Sequence, residues 1–392
     1  MKHYPAYFCV LSLLLMMVAG SAAQETAVNQ PQHLYLPVIK KYIPPAPAAP
    51  LPPPIAKQID NPADLPQIRA ELQTQGLDLA TNKIGFHVGA GGNQAGLIEM
   101  LQTLDAAGIP FFLKSASNAE PIFRAQEMMK QSGVPHMLVY RSVTPYDVPD
   151  YHLDPATAAA IHWARHKAAF PPELDPNLVW LETMNEVDKN RSEWLAQFSI
   201  EMAKLTMADG FRWATFGWSS GEPEPEHWEG PAMLEWLRLA GAHPDKLAIA
   251  LHEYSYRTES IGYIYPYLVG RFQFLFMAAD KHNIPRPTVL ITEWGWEYQD
   301  VPSPTEAMAD IAWASWLYAA YPQVKGAAIW YLGPGFSDID DQTQRLIAPV
   351  GDYSLHNYFV IDPGFGSIDT DLFVSDPPTV FSNQYVPLIT DY

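Results

Sequence analysis

TVLITEWGWEYQDVPSPTEAMADIAWASWLYAAYPQVKGAAIWYLG, residues 288–333, decides how this chain folds. It begins with an aliphatic run, 288–294, of the kind that is buried on both faces of a sheet. A polar break follows, and then a helix signal: Ser303 in an N-cap position, Pro304 in the first turn and Glu306 three residues after the serine. The helical segment reaches residue 320 and is followed by a second apolar run, 326–333. Strand, helix and strand in this order predict two parallel strands joined by a crossover helix.

The same unit recurs upstream. Candidate strands are KIGFHVG (83–89), PFFLKS (110–115), HMLVYRS (136–142), LVWLETMNE (178–186), FRWATFGWS (211–219) and KLAIALHEYS (246–255). Between them lie helix candidates such as QAGLIEMLQTLDAAG and EWLAQFSIEMAKLTMADG, several of which stop at Gly or Pro. Eight strands, each followed by a helix, over about 260 residues predict an α/β fold of the (β/α)8 TIM barrel type. A doubly wound open sheet would use fewer strands. No G-x-G-x-x-G opens a helix after the first strand and no P-loop is present; HVGAGGN (87–93) reads as a tight turn between strand and helix.

The two ends of the chain read differently. Lys2 and His3, an apolar run and Ser21-Ala22-Ala23 describe a secretory signal peptide over residues 1–23, with an apolar stretch shorter than a membrane span needs. Residues 24–57 carry YIPPAPAAPLPPPIA and read as a proline-rich linker, extended and semi-rigid. The barrel is expected over 58–350 and a C-terminal extension packed on it over 351–392. The one cysteine, Cys9, falls in the signal segment, so the exported chain would hold no disulfide. Formal charge is −19 at pH 7, and loss of residues 1–23 would remove one lysine and no acid. Such a balance disfavours nucleic acid and anionic lipid as partners. A secreted monomer acting on a neutral ligand, without stable membrane insertion, is the expectation.

In a barrel of this kind the active site lies at the C-terminal ends of the strands. Those ends carry His87, Lys114, Arg141, Asn185 with Glu186, Trp218, His252 with Tyr254, Glu293 and Trp330. Singly, each is ordinary: a strand-end glutamate is usually solvated and a lone histidine usually a satisfied core residue. Two glutamates on the fourth and seventh strands, each in an aromatic or amide setting, form a more specific signal. Glu182, four residues before Glu186, reads as a buried partner of a basic group in the barrel interior.

W-L-E-T-M-N-E on the fourth strand, L-H-E-Y-S after the sixth, I-T-E-W-G-W on the seventh and I-W-Y-L-G on the eighth resemble clan A of the retaining glycoside hydrolases, with family five and its relatives nearest. The resemblance spans about residues 80–335 by strand order. It implies a β-glycoside hydrolase working by double displacement on a β-linked polysaccharide or oligosaccharide, with Glu186 as acid/base and Glu293 as nucleophile. Asn185 would bind the sugar 2-hydroxyl, Tyr254 would hydrogen-bond the nucleophile, and Trp330 would floor the sugar site. His252, His87, Trp218 and Trp294 are carried as further substrate-binding candidates. The clan's strand-two arginine is absent; Lys114 stands there and Arg141 on strand three, and either could take its place. Two carboxyl groups about 5–5.5 Å apart are what retaining chemistry needs.

Two other readings compete. A metal-dependent sugar-active barrel enzyme could ligate its ion with Glu186, His252 and Glu293, although the first strand lacks His-x-His. A carbohydrate-binding barrel without catalysis would have little reason to keep both glutamates. No metal or cofactor is expected. FSDIDDQ (336–342) lacks the spacing of a calcium loop and reads as a solvated acidic loop. Trp228 and Trp296, at or beyond strand ends, fit sugar stacking and loop packing equally.

Overall fold

The computed structural model describes residues 54–143 and 146–363. The signal segment, most of the linker and the end of the C-terminal extension lie outside the described residues. Eight parallel strands close into a barrel: β1 (Ile84–Val88), β2 (Phe112–Ala116), β3 (Met137–Arg141), β4 (Val179–Glu182), β5 (Arg212–Trp218), β6 (Leu247–Tyr254), β7 (Thr288–Gly295) and β8 (Val324–Leu332). Each pairs with the next, and β8 pairs with β1 through Ala327–Ile84 and Ile329–Phe86. This is the (β/α)8 barrel that the alternation of runs predicts. Helix Pro304–Ala319 starts at the expected capping box, with Ser303 and Glu306 serving each other's backbone N–H groups.

The barrel is filled in layers. Phe112 and Trp180 supply bulk at one level, together with Val139 and Leu290, and face alanines 214, 248, 250 and 328 from the other strands. Large side chains fit only because small ones oppose them. Gly326 shows how tight this is: a Cβ there would come within 2.3 Å of the Phe112 ring and 2.7 Å of the Lys83 carbonyl oxygen. Lys114 and Glu182, both fully buried, are paired across the interior.

A three-stranded antiparallel sheet accompanies the barrel. Asn357–Ile361 is its central strand, flanked by Ile55–Gln58 and Asp78–Thr81. Phe359 and Ile361 pack on Ala319 of helix Pro304–Ala319 and on the neighbouring Trp316. The strand Ile55–Gln58 thus begins inside the span read as linker. Helix Ile347–His356 crosses the expected end of the barrel at residue 350.

One strand boundary differs in a way that matters for the site. The fourth strand ends at Glu182 and not at Glu186. Asn185 and Glu186 lie on the segment beyond it, where Glu186 has a left-handed φ of 47°. A turn, not a strand end, presents this glutamate.

Candidate active site

The segment after β4 is fastened from several sides. The Thr183 carbonyl meets His162 Nε2 at 3.1 Å, and its hydroxyl accepts from Trp213 Nε1 at 3.0 Å. Asn185 N–H donates to the Asp147 carbonyl at 2.9 Å, and Glu186 N–H to the Gly217 carbonyl at 2.7 Å. Gly217, at φ +54°, has to be glycine: a Cβ would lie 2.9 Å from the Met184 carbonyl oxygen. Ser219 Oγ then donates to Glu186 Oε1 at 3.1 Å. Arg141 donates to Asn185 Oδ1, which leaves the amide NH2 of Asn185 free to serve as a donor.

Glu293 is delivered by an irregularity in β7. Leu251 pairs with Ile291, but His252 pairs with Glu293, so Thr292 is an extra residue on β7. Thr292 Oγ1 donates into the interior, to Glu182 Oε1 at 2.6 Å. Glu293 accepts from Tyr254 Oη at 2.9 Å through Oε2. Its Oε1 meets Lys114 Nζ at 3.5 Å, Arg141 Nη1 at 3.8 Å and His87 Nδ1 at 3.9 Å.

His252 joins the two glutamates. Its Nδ1 is 3.5 Å from Glu186 Oε1 and 3.5 Å from Glu293 Oε2, so those oxygens are no farther apart than twice that distance. That ceiling admits the ~5–5.5 Å of retaining glycosidases and overlaps the lower end of the ~6.5–9.5 Å of inverting ones, so by itself it selects neither. The glutamate side chains differ in exposure, 50% for Glu186 and 10% for Glu293.

The surroundings set their acidities. Burial alone would raise the Glu293 carboxyl, but His252, Lys114 and Arg141 outweigh it and hold Glu293 well below the usual carboxylate range. Burial likewise works against ionised Glu182, and the Lys114 charge beside it draws it low. Contact with His252 is the largest influence on Glu186 and lowers it, against its partial burial and the repulsion of Glu293. Tyr254 is pushed well above its ordinary value by burial and by Glu293, so it remains a donor. His87 is driven low by burial and by Lys114, which keeps its ring neutral.

The structure therefore gathers Glu186, Glu293, Asn185, His252, Tyr254, Arg141, Lys114 and His87 at one barrel mouth. Glu182 is the buried partner of a basic group, as the sequence suggests, and that group is Lys114. Two candidates are corrected. Trp218 and Trp294 are both fully buried and offer no face to a ligand. Trp294 follows an inward Glu293 and alternation turns it to the other side of the sheet, against Trp296 at 5.1 Å. Trp218 follows residues 216 and 217, both at positive φ, where the β5 register shifts, and it packs on Phe216 at 5.1 Å. Trp228 and Trp296 are also buried, so loop packing is their role.

Trp330 is half-buried, with its ring edge-on to Tyr254 at 6.3 Å. It stacks with Tyr331 at 4.9 Å and Tyr298 at 5.9 Å, and Phe336 meets it edge-on at 4.9 Å. Tyr298 is 62% exposed and Phe336 40%. Ser219, Tyr298, Tyr331 and Phe336 are not among the candidates read from the sequence, although Tyr331 lies within I-W-Y-L-G and Tyr298 two residues after I-T-E-W-G-W. The acidic segment after β8, expected as a loop, forms the short helix Ile339–Gln344, whose first turn ties down the glycine-rich turn after β1: Asn93 donates to Asp340 Oδ2 at 2.6 Å and to Asp341 Oδ1 at 2.7 Å. Among the described residues, no group of three or more His, Cys, Asp or Glu side chains is arranged to hold a metal ion.

No family model matches this sequence, and no curated protein matches it. Similar solved structures include a GH5-4 broad specificity endoglucanase from Clostridium acetobutylicum, 12% identical with a TM-score of 0.40 over 76% of this chain and 99% of that one. A second such endoglucanase, from Clostridium longisporum, is 14% identical with a TM-score of 0.38 over 66% and 88%. The YdjI aldolase from Escherichia coli K12 is 8% identical with a TM-score of 0.33 over 72% and 91%. Endoglucanases and aldolases stand side by side at these low scores, and the likeness assigns no chemistry to this chain.

Proposed function

We propose that this chain is a retaining β-glycoside hydrolase. The observation that carries the reading is the bridging of Glu186 and Glu293 by one imidazole nitrogen, with a phenol donating to Glu293 alone. Both carboxyls are held low, and what separates them is exposure: Glu293 is buried among cations and Glu186 is half-exposed, where it can exchange a proton with solvent.

In the first step Glu293 attacks the anomeric carbon while the bond to the leaving oxygen breaks and Glu186 supplies that oxygen with a proton. In the second, Glu186 takes a proton from water, the water oxygen bonds to the anomeric carbon, and Glu293 departs as carboxylate. Asn185, its oxygen occupied by Arg141, turns its NH2 toward the sugar 2-hydroxyl. Trp330 and its aromatic neighbours offer apolar ring surface to sugar faces.

We read the protein further as exported and monomeric, acting on an uncharged β-linked glycan. The net charge of −19 agrees with such a partner. No helix among the described residues is long and apolar enough to cross a membrane.

The test is hydrolysis of a panel of β-glucans, mannans, xylans and galactans, followed by proton NMR during the first minutes of reaction on a positive substrate. The β-anomer is expected before mutarotation. An initial α-anomer would overturn the retaining assignment, and no turnover on any glycan would overturn the enzyme reading.

A further inference from the structure

The Lys114 ammonium sits between two carboxylates on different strands. It is 2.7 Å from Glu182 Oε2 on β4 and 3.5 Å from Glu293 Oε1 on β7, and neither Lys114 nor Glu182 is exposed at all. A buried ion pair that only held the barrel together would need no third member. Here Thr292, the residue before Glu293, donates to Glu182 at 2.6 Å, so the strand that carries Glu293 also fixes the group that competes for the lysine.

We propose that Glu182 is a positioning residue: it holds the Lys114 ammonium at 2.7 Å and so keeps the contact of that cation with Glu293 long, at 3.5 Å, instead of letting it become the close ion pair. Charge attraction falls with distance and is strong in a dry interior. A cation one step away favours the ionised carboxylate. A cation in full contact would also occupy the lone pairs that must reach the anomeric carbon. Without Glu182, the ammonium has only Glu293 to approach. The inference rests on reading Glu293 as the nucleophile.

Other groups face Glu293 and remain when this pair is altered: His87 from β1, Arg141 from β3, His252 and Tyr254 from β6, and Glu186 from the segment after β4. Removing Lys114 together with Glu182 should therefore shift Glu293 only part of the way back, by about one pH unit.

The experiment uses Glu182→Gln and the neutral double variant Lys114→Met/Glu182→Gln, with folding checked by circular dichroism. Carboxyl carbon NMR follows Glu293, whose signal is identified by its loss in Glu293→Gln. In the wild type Glu293 should stay ionised down to the acid limit of the fold, and in the double variant it should titrate about one unit higher. Glu182→Gln should lower kcat tenfold or more with little change in KM. An unchanged Glu293 titration in the double variant would overturn the proposal, as would an unchanged kcat in Glu182→Gln. If Glu182→Gln does not fold, the neutral pair carries the test, with Lys114→Gln/Glu182→Gln as its second form. Failure of both neutral pairs to fold would assign the ion pair to holding the barrel together and overturn the proposal as well. The titration needs no turnover, so loss of the glycosidase reading and loss of this one give different results.

Discussion

Tyr254 and Glu293 stand on neighbouring strands out of register: Glu293 pairs with His252, yet the phenol two residues farther along β6 donates to it at 2.9 Å. Tyr254 thus reaches back to the carboxylate, and the hydrogen bond is made to its ionised form. Tyr254→Phe removes a bond to a charged group, worth about 1.5–3 kcal/mol. Activity should fall by roughly tenfold to a hundredfold. The Glu293 carboxyl should rise, bringing its acidic limb toward the pH range in which the chain stays folded, while the basic limb stays. A pH profile of kcat/KM checks both.

His252 makes a contrasting prediction. Its Nδ1 is equally far from both carboxylates, and it lowers both. His252→Phe should therefore move both limbs of the profile to higher pH. A shift of one limb alone would show that the imidazole serves only one glutamate.

Glu293→Gln and Glu186→Gln should each reduce turnover by several orders of magnitude with the fold intact. They should differ on an aryl glycoside whose leaving group needs no proton. Glu186→Gln would keep a fast first step there, seen as a burst of phenol, whereas Glu293→Gln would show none.

Glu253 bears on stability. It is fully buried beside the site residues, accepts from Gly270 N–H, Phe272 N–H and Tyr318 Oη, and is pushed up to about 7 by burial. Its folded value exceeds the unfolded one, so the folded state binds the extra proton. The stabilisation is complete below pH ~4.5 and is lost as pH rises toward ~7, by up to about 1.4 kcal/mol per unit. Denaturant unfolding of Glu253→Gln should show a weaker decline with pH across this window than the wild type.

The barrel was legible because its strands are continuous apolar runs of the length a doubly covered sheet requires. Glu293 was legible for the same reason, since it ends such a run. Glu186 was found through its Asn-Glu pair, but its setting was not: the turn that presents it depends on a glycine 31 positions away on β5, Gly217, which only the folded chain brings near. Trp218 and Trp294 show the opposite failure. Aromatic residues at strand ends look available for ligands, and one-residue register shifts decide which side of the sheet they take. The small sheet escaped notice because Ile55–Gln58 and Asp78–Thr81 are four-residue segments, half apolar and half polar, with little pattern to read. Tyr298 and Phe336 lie in loops, where periodicity says nothing.

That small sheet also has a consequence for the order of assembly. Its two outer strands, Ile55–Gln58 and Asp78–Thr81, do not touch each other; both wait for Asn357–Ile361, nearly the whole described chain later. During synthesis they would leave the ribosome unpaired and stay so until the last barrel strand had emerged. Pairings this distant in sequence are slow to form. The sheet then works as a clasp that can shut only on a chain already complete through its eighth barrel strand, and a polypeptide ending short of residue 357 would carry two open edges in its place.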